Sequence, residues 1–346
     1  MNTSIRVAAV GLVLLVVGCG GSRSMGQNGN PRELIYVTNQ AGASVSAIDV
    51  ERQEVVATID LQALGFSDTA KPHHIAVEPD GEFWYVTLIG ESRILKFNRD
   101  NELVASAEFE VPGMLSLDPD SDLLFVARSM TAVNPPTRIG IIERDDMSVE
   151  EVDVFFPRPH AIAISRDGET IYTASLAENK IMAINVDTEQ SKLIALDGPE
   201  RSLVQFAVSP DGNTLVAGGH LDAKFAFFDI SDPLNPTLKG QVSVNHGPWD
   251  PVFTPDGRFV YFGNKMHNSI TVVDASDITI KTVIEDPGLA EPGGSAISAD
   301  GRFVFISNEN TGGENGSVVV IDTSTNTIVK TIPVGKGPTG MGTRPR

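Results

Sequence analysis

The sequence predicts an all-β chain folded as a single seven-bladed β-propeller of four-stranded antiparallel blades. Three observations carry this. First, a segment of one pattern recurs: "KPHHIAVEPDGEFWYVT" from Lys71, "VPGMLSLDPDSDLLFVA" from Val111, "RPHAIAISRDGETIYTA" from Arg158, "SLVQFAVSPDGNTLVAG" from Ser202, "GPWDPVFTPDGRFVYFG" from Gly247 and "EPGGSAISADGRFVFIS" from Glu291. The turn aspartates Asp80, Asp120, Asp167, Asp211, Asp256 and Asp300 lie roughly 40–47 residues apart, close to the length of a propeller blade. Second, the two chain ends complement each other and together supply one more repeat. Third, helical periodicity is absent over any useful length.

The first element is a leader. "MNTSIRVAAVGLVLLVVGCG" has one positive charge at Arg6, an apolar run from Val7 to Val17, small Gly18 and then Cys19. The run is shorter than the ~20 apolar residues a membrane-spanning helix needs. It fits the apolar region of a secretory signal peptide. Val16-Val17-Gly18-Cys19 resembles a bacterial lipobox, which implies residues 1–18 as signal, lipidation at Cys19, and sorting to the outer membrane from Gly20. Cys19 is the sole cysteine, so the folded domain has no disulfide or thiolate chemistry. Residues 19–32, rich in Gly, Ser and Asn, read as a flexible tether.

The propeller is expected over residues 33–346. "ELIYVTNQAGASVSAIDVERQEVVATIDL" contributes three strands without an inner one. Each repeat then gives an alternating inner strand, an Asp-Gly type turn and a second strand rich in Val, Tyr and Phe. Third strands follow, as in "SITVVDASD" from Ser269, and fourth strands, as in "TIVKTIPVG" from Thr327. Four strands per repeat make a blade. "DPDSD" from Asp118 matches the start of an EF-hand loop, but the central glycine is missing and Ser129 stands where its glutamate belongs, so it reads as a repeat turn. "GKGPTGMGTRPR" begins like another inner strand at Pro338 and lacks its second strand, which the N-terminal segment supplies. The closed ring leaves no free sheet edge and is expected to act as a monomer.

"IYVTNQAGASVSAID", "FWYVT" and "FVYFGNKMHNSITVVD" resemble the YVTN-type β-propeller repeats, and the resemblance covers nearly everything from Glu33 onward. That group includes surface-layer-like binding proteins. Its more distant relatives include the haem d1 domain of nitrite reductase, the copper-bearing propeller of nitrous oxide reductase and sugar-lactone hydrolases. The fold alone does not choose among these activities.

Charge excludes some partners. With 45 acidic and 26 basic residues the net charge is −19, which repels phosphate backbones and argues against nucleic acid. Strand order then sorts the histidines. Inner-strand starts and the loops after second strands share one face of the ring. All six histidines fall there: His73, His74 and His160 at inner-strand starts, His246 just before one, His220 and His267 in the loops. Near the axis they suggest a metal set of His73, His160 and His246, taking copper, zinc or haem. A zinc or copper site needs several ligands converging at about 2.0–2.1 Å. In a regular strand His73 and His74 cannot both face the channel. Gln205, Trp249 and Asp250 occupy matching positions in later blades, so the ligand-binding candidates at the channel mouth are His73, His74, His160, Gln205, His246, Trp249 and Asp250. Lys71, Arg158, Arg201 and Glu291 stand at the lip. Catalytic residues are not identified: nucleophile-elbow, phosphate-loop, H-E-x-x-H and Cys-x-x-Cys-His motifs are all missing.

The sequence thus implies a lipid-anchored binding or scaffolding module on the periplasmic or outer side of an outer membrane. It would hold a small ligand or protein partner at the histidine-bearing face. A metal- or haem-dependent periplasmic redox protein is the first alternative, and a lactonase-like hydrolase the second.

Overall fold

Each repeat folds as a four-stranded antiparallel sheet, and seven such sheets are present in the computed structural model, which describes residues 32–129 and 134–344. The leader, Cys19 and the tether as far as residue 31 lie outside the described residues. The inner strands are Pro72–Val77, Pro112–Leu117, Pro159–Ile164, Leu203–Val208, Val252–Phe253, Pro292–Ile297 and Pro338–Gly342, and they number blades one to seven. Neighbouring inner strands touch in that order, and the seventh touches the first, so the ring is closed. Blade seven unites both ends of the chain: Pro338–Gly342 pairs with Leu34–Asn39, followed by Ser44–Asp49 and Glu54–Asp60. No helix among the described residues is long and apolar enough to cross a membrane.

Burial explains the composition of each strand. Second and third strands are flanked by neighbouring blades on both faces, so Leu123–Arg128 and Thr170–Ser175 are buried almost throughout. Fourth strands lie at the rim and are mostly exposed, as in Thr279–Glu285, or alternate, as in Leu103–Glu108. The core is accordingly divided into seven apolar clusters, one at each blade interface. At the closing interface Trp84 of blade one stacks between Tyr36 of blade seven, 4.5 Å away, and Phe97, 4.2 Å away. Between blades four and five Phe225 stacks on Phe262 at 4.0 Å.

Repeat signatures have local physical roles. Asn39, Asn264 and Asn308 end second strands, and their amides donate to hydroxyls opening the third strand: Ser44 and Ser46, Ser269 and Thr271, and Ser317. On the opposite face Thr254 Oγ1 donates to Asp256 and Ser298 Oγ to Asp300, while Gly257 and Gly301 take positive φ to complete the turn. Asp118 closes its own turn by accepting from the amides of Asp120 and Ser121 and from the Ser121 hydroxyl. The EF-hand-like spacing is therefore a repeat turn.

Every blade is entered through one kinked residue. Lys71, Val111, Arg158, Ser202, Glu291 and Gly337, each just before the inner strand, and Gly247, just before the bridge residue Pro248, all have φ between 43° and 78°. Five of these seven are not glycine, an unusual density of left-handed residues. Directly after the kink the pairing register slips, between Pro72 and Ile75, Pro112 and Leu115, Pro159 and Ala161, Leu203 and Phe206, and Pro292 and Ser295. These slips free backbone N–H groups from their own sheet.

Candidate functional site at the histidine-bearing end of the channel

The freed N–H groups need acceptors, and several predicted site residues supply them. The amide of Leu115 in blade two donates to His74 Nδ1 of blade one at 3.2 Å. Those of Ile162 and Phe206 both donate to Gln205 Oε1 at 3.1 Å. That of Ser295 in blade six reaches Asp250 Oδ2 of blade five at 3.4 Å. His74, Gln205 and Asp250 thus occupy the same repeat position and tie neighbouring inner strands together. His74 itself donates its amide to Thr87 Oγ1. Its ring is 7% exposed and serves the scaffold.

The residue immediately before this position faces differently. His73 of blade one and His160 of blade three lie with ring centres 5.8 Å apart, edge to face. Their inner strands are not neighbours, because blade two stands between them. Blade two carries Gly113 at the corresponding position. A side chain there is impossible without displacement, since a Cβ would fall 2.7 Å from Arg128 backbone atoms. The register slip also answers the phase argument: in this irregular segment His73 and His74 both turn inward, one to the far side and one to the adjacent blade.

Both rings have one nitrogen fixed and one free. His160 Nδ1 donates to the Val204 carbonyl at 2.7 Å, and His73 Nδ1 donates to Gln40 Oε1 at 2.9 Å. An amide or carbonyl oxygen only accepts, so each Nδ1 carries the proton and each Nε2 keeps its lone pair. Both Nε2 atoms are buried with no protein hydrogen-bond partner. Burial pushes the His160 imidazole down to about 4, with the Val204 carbonyl opposing and Arg158 adding to the shift. His74 is likewise lowered to about 4 by burial and by His160. Burial, then His160, His74 and Lys265, holds His73 well below the usual imidazole range.

A second cluster lies around Trp249 of blade five. His220 meets its ring edge-on at 5.1 Å, and Lys265 Nζ sits 4.4 Å from the ring centre. Lys265 is also ion-paired with Glu309. His220 Nδ1 is buried without a protein partner. Burial, reinforced by Lys265, lowers the His220 imidazole. Asp250, next in sequence to Trp249, is pushed up to about 7 by burial, with the Ser295 amide opposing.

His246 does not join either group. It is exposed, two residues ahead of Pro248, on the outer side of the kink at Gly247. No group of three or more His, Cys, Asp or Glu side chains suited to a metal occurs among the described residues. The expected set of His73, His160 and His246 is therefore not assembled; only its first two members meet. Arg201 is spent as well: 5% exposed, it binds Asp222, Gln241 and the Asp197 carbonyl. Sequence reasoning missed Gln40 and Lys265, which follow the second strands of blades seven and five by one position. It also missed Gly113, whose signal was its alignment with His73 and His160. Toward the opposite face a cavity of about 200 Å³ opens between blades two, three and four, bordered by Ser116, Ser165, Arg166 and Gln205.

Comparison with known proteins agrees with this architecture. The family described as "Lactonase, 7-bladed beta-propeller" matches residues 236–339 of the chain. Among solved structures, a functionally unknown protein from Desulfotomaculum acetoxidans DSM 771 superposes with a TM-score of 0.74 at 16% identity, covering 90% of this chain and 98% of that one. Hydrazine synthase of Kuenenia stuttgartiensis gives 0.69 at 16% identity, over 91% and 99%. Dihydro-heme d1 dehydrogenase NirN in complex with DHE gives 0.65 at 15% identity, over 90% and 75%. At these identities the likeness is one of fold.

Proposed function

We propose that the protein is a lipid-anchored, YVTN-type propeller that binds a small, planar, negatively charged ligand at the histidine-bearing mouth of its channel without transforming it. Cys19 anchors it to the outer membrane, on the periplasmic or outer side, and the ring acts as a monomer. One observation carries this reading: half-buried Trp249 offers an aromatic face beside Lys265, with the unpartnered His220 Nδ1 at its edge. The test uses Trp84→Phe in the full chain, held in detergent. The other tryptophan, Trp249, then reports alone. Titration with aromatic carboxylates is expected to change its emission saturably, and Lys265→Ala to weaken the response about tenfold. An unchanged emission across the panel refutes the reading. Anchoring has its own check: Cys19→Ala moves the protein from the membrane to the soluble fraction.

A second reading, a metal- or haem-dependent protein, is favoured by the two free Nε2 lone pairs of His73 and His160 and by the likeness to NirN. Haem uptake is read from a Soret band that the wild type acquires and His160→Gln does not. A lactonase-like activity draws on the partial family match and on the Asp250 carboxyl. Lactone hydrolysis abolished in Asp250→Ala establishes it, and no turnover in the wild type excludes it.

A further inference from the structure

We propose that the cavity between blades two, three and four binds a short-chain aliphatic carboxylate, held between Gln205 and Ser116. This second site lies toward the opposite face from Trp249 and is independent of the reading above.

Its donors arise from the way the inner strands are tied. Strand Pro159–Ile164 of blade three presents the amides of Ile162 and Ile164, two residues apart, to its neighbours. Gln205 Oε1 of blade four takes the first at 3.1 Å, and Ser116 Oγ of blade two takes the second at 3.0 Å. Gln205 Oε1 also takes the Phe206 amide at 3.1 Å. Of the two ends of a glutamine amide, only the oxygen accepts, so these two bonds fix which way the Gln205 side chain is turned. Its Nε2 is left with two protons, on a residue 4% exposed, and they meet no acceptor among the described residues. The Ser116 hydroxyl, used as an acceptor, likewise keeps its proton. Both residues border the cavity. Buried donors without acceptors favour an occupant that supplies them.

Spacing and chemistry name the occupant. Alternate residues of a strand lie about 6.6 Å apart, which sets the separation of the oxygens that take the Ile162 and Ile164 amides. Carboxylate oxygens about 2.2 Å apart, with a hydrogen bond of about 2.8 Å on either side, bridge donors up to about 8 Å apart. One carboxylate can therefore meet Gln205 Nε2 with one oxygen and Ser116 Oγ with the other. Arg166, at the border of the same cavity, holds the Ser209 carbonyl through Nε and brings positive charge to the mouth. Ser165 is already engaged, donating to Asp167 and accepting the Thr170 amide. Ile162, Phe206 and Val208 supply apolar wall, which suits an alkyl chain. The volume of about 200 Å³ is that of about six or seven waters at ~30 Å³ each, room for an acid of about four or five carbons.

The test uses the full chain in detergent, labelled at isoleucine and valine methyl groups and titrated with sodium butanoate at fixed ionic strength. Saturable shifts of the Ile162 and Val208 methyls are expected. Affinity should rise about fourfold for each CH₂ from acetate to butanoate and stop rising by octanoate. Gln205→Glu keeps an oxygen for the Ile162 and Phe206 amides while replacing the N–H groups with a like charge; binding should fall at least about 100-fold. Arg166→Gln should lose about tenfold, and neutral butanamide should bind at least about tenfold more weakly than butanoate. Arg258→Gln, which removes an exposed cation from the same face of blade five, should change nothing. Absence of saturable shifts at those methyls overturns the proposal. So does full affinity in Gln205→Glu, equal binding of butanamide, or loss in Arg258→Gln. A saturable change in Trp249 emission without methyl shifts places the acid at the other end of the ring and also overturns it. Where Gln205→Glu fails to fold, the wild-type methyl shifts and the butanamide comparison decide.

Discussion

At the scale of single residues, two adjacent histidines do opposite jobs. His74 accepts the Leu115 amide that the register slip leaves unpaired, so His74→Leu strands a buried donor. Chemical denaturation is expected to show a loss of about 1–3 kcal/mol, largely restored by His74→Gln, whose oxygen also accepts. Titration gives a second residue-scale outcome. His74 and His160 have folded values near 4 against 6.5 unfolded, so the unfolded chain binds more protons between those values. Their contribution is complete above pH 6.5 and is lost as pH falls toward 4, up to a few kcal/mol each. Asp250 runs the other way: its folded value near 7 exceeds the unfolded 3.8, so it removes stability as pH rises from 4 to 7. Asp250→Asn should therefore exceed wild type in stability by a margin that grows across that interval, measured by melting at each pH. The histidine bias toward one end of the ring was legible in the sequence. The contacts were not, because a slipped register changes which way a side chain points without altering the pattern of residue types. Gly113 shows the same limit: a Cβ there would meet the Arg128 backbone, and its mark in the chain is an absence.

Elements were the most legible level. The Asp-Gly turns and the alternation of inner strands marked the repeats, and the continuous burial of second and third strands explains their Val, Ile and Phe content. The N-terminal strands without an inner partner and the C-terminal inner strand without a second strand implied each other. What the pattern hid is the left-handed residue entering each blade. Lys71, Arg158 and Glu291 read as lip residues in the sequence, yet all three sit in this strained conformation. Val111 is the extreme case, a β-branched side chain at φ 43°. Left-handed backbone costs a non-glycine residue about 1–2 kcal/mol, partly offset by the larger unfolded freedom of glycine. Val111→Gly is therefore expected to raise stability by about 1 kcal/mol in a denaturant titration.

For the whole molecule, stability is distributed over seven similar apolar interfaces, each needing the blade on either side. Removing residues 337–346 takes away the inner strand of blade seven and strips the backbone from Thr38, which binds the amide and carbonyl of Gly340. Calorimetry should then show a lower and broader transition than that of the intact ring. The same closure imposes an order in time. Among the described strands Leu34–Asn39 is the first to be synthesised, and its inner partner, Pro338–Gly342, is the last. Blades one to six have all four strands as soon as their own stretch of chain exists; blade seven does not. Its early strands must remain unclaimed through the making of some three hundred residues, with Tyr36 and Val37 kept from wrong partners. The ring is thus a clock as well as a scaffold: it can shut only after Pro338–Gly342 has been made.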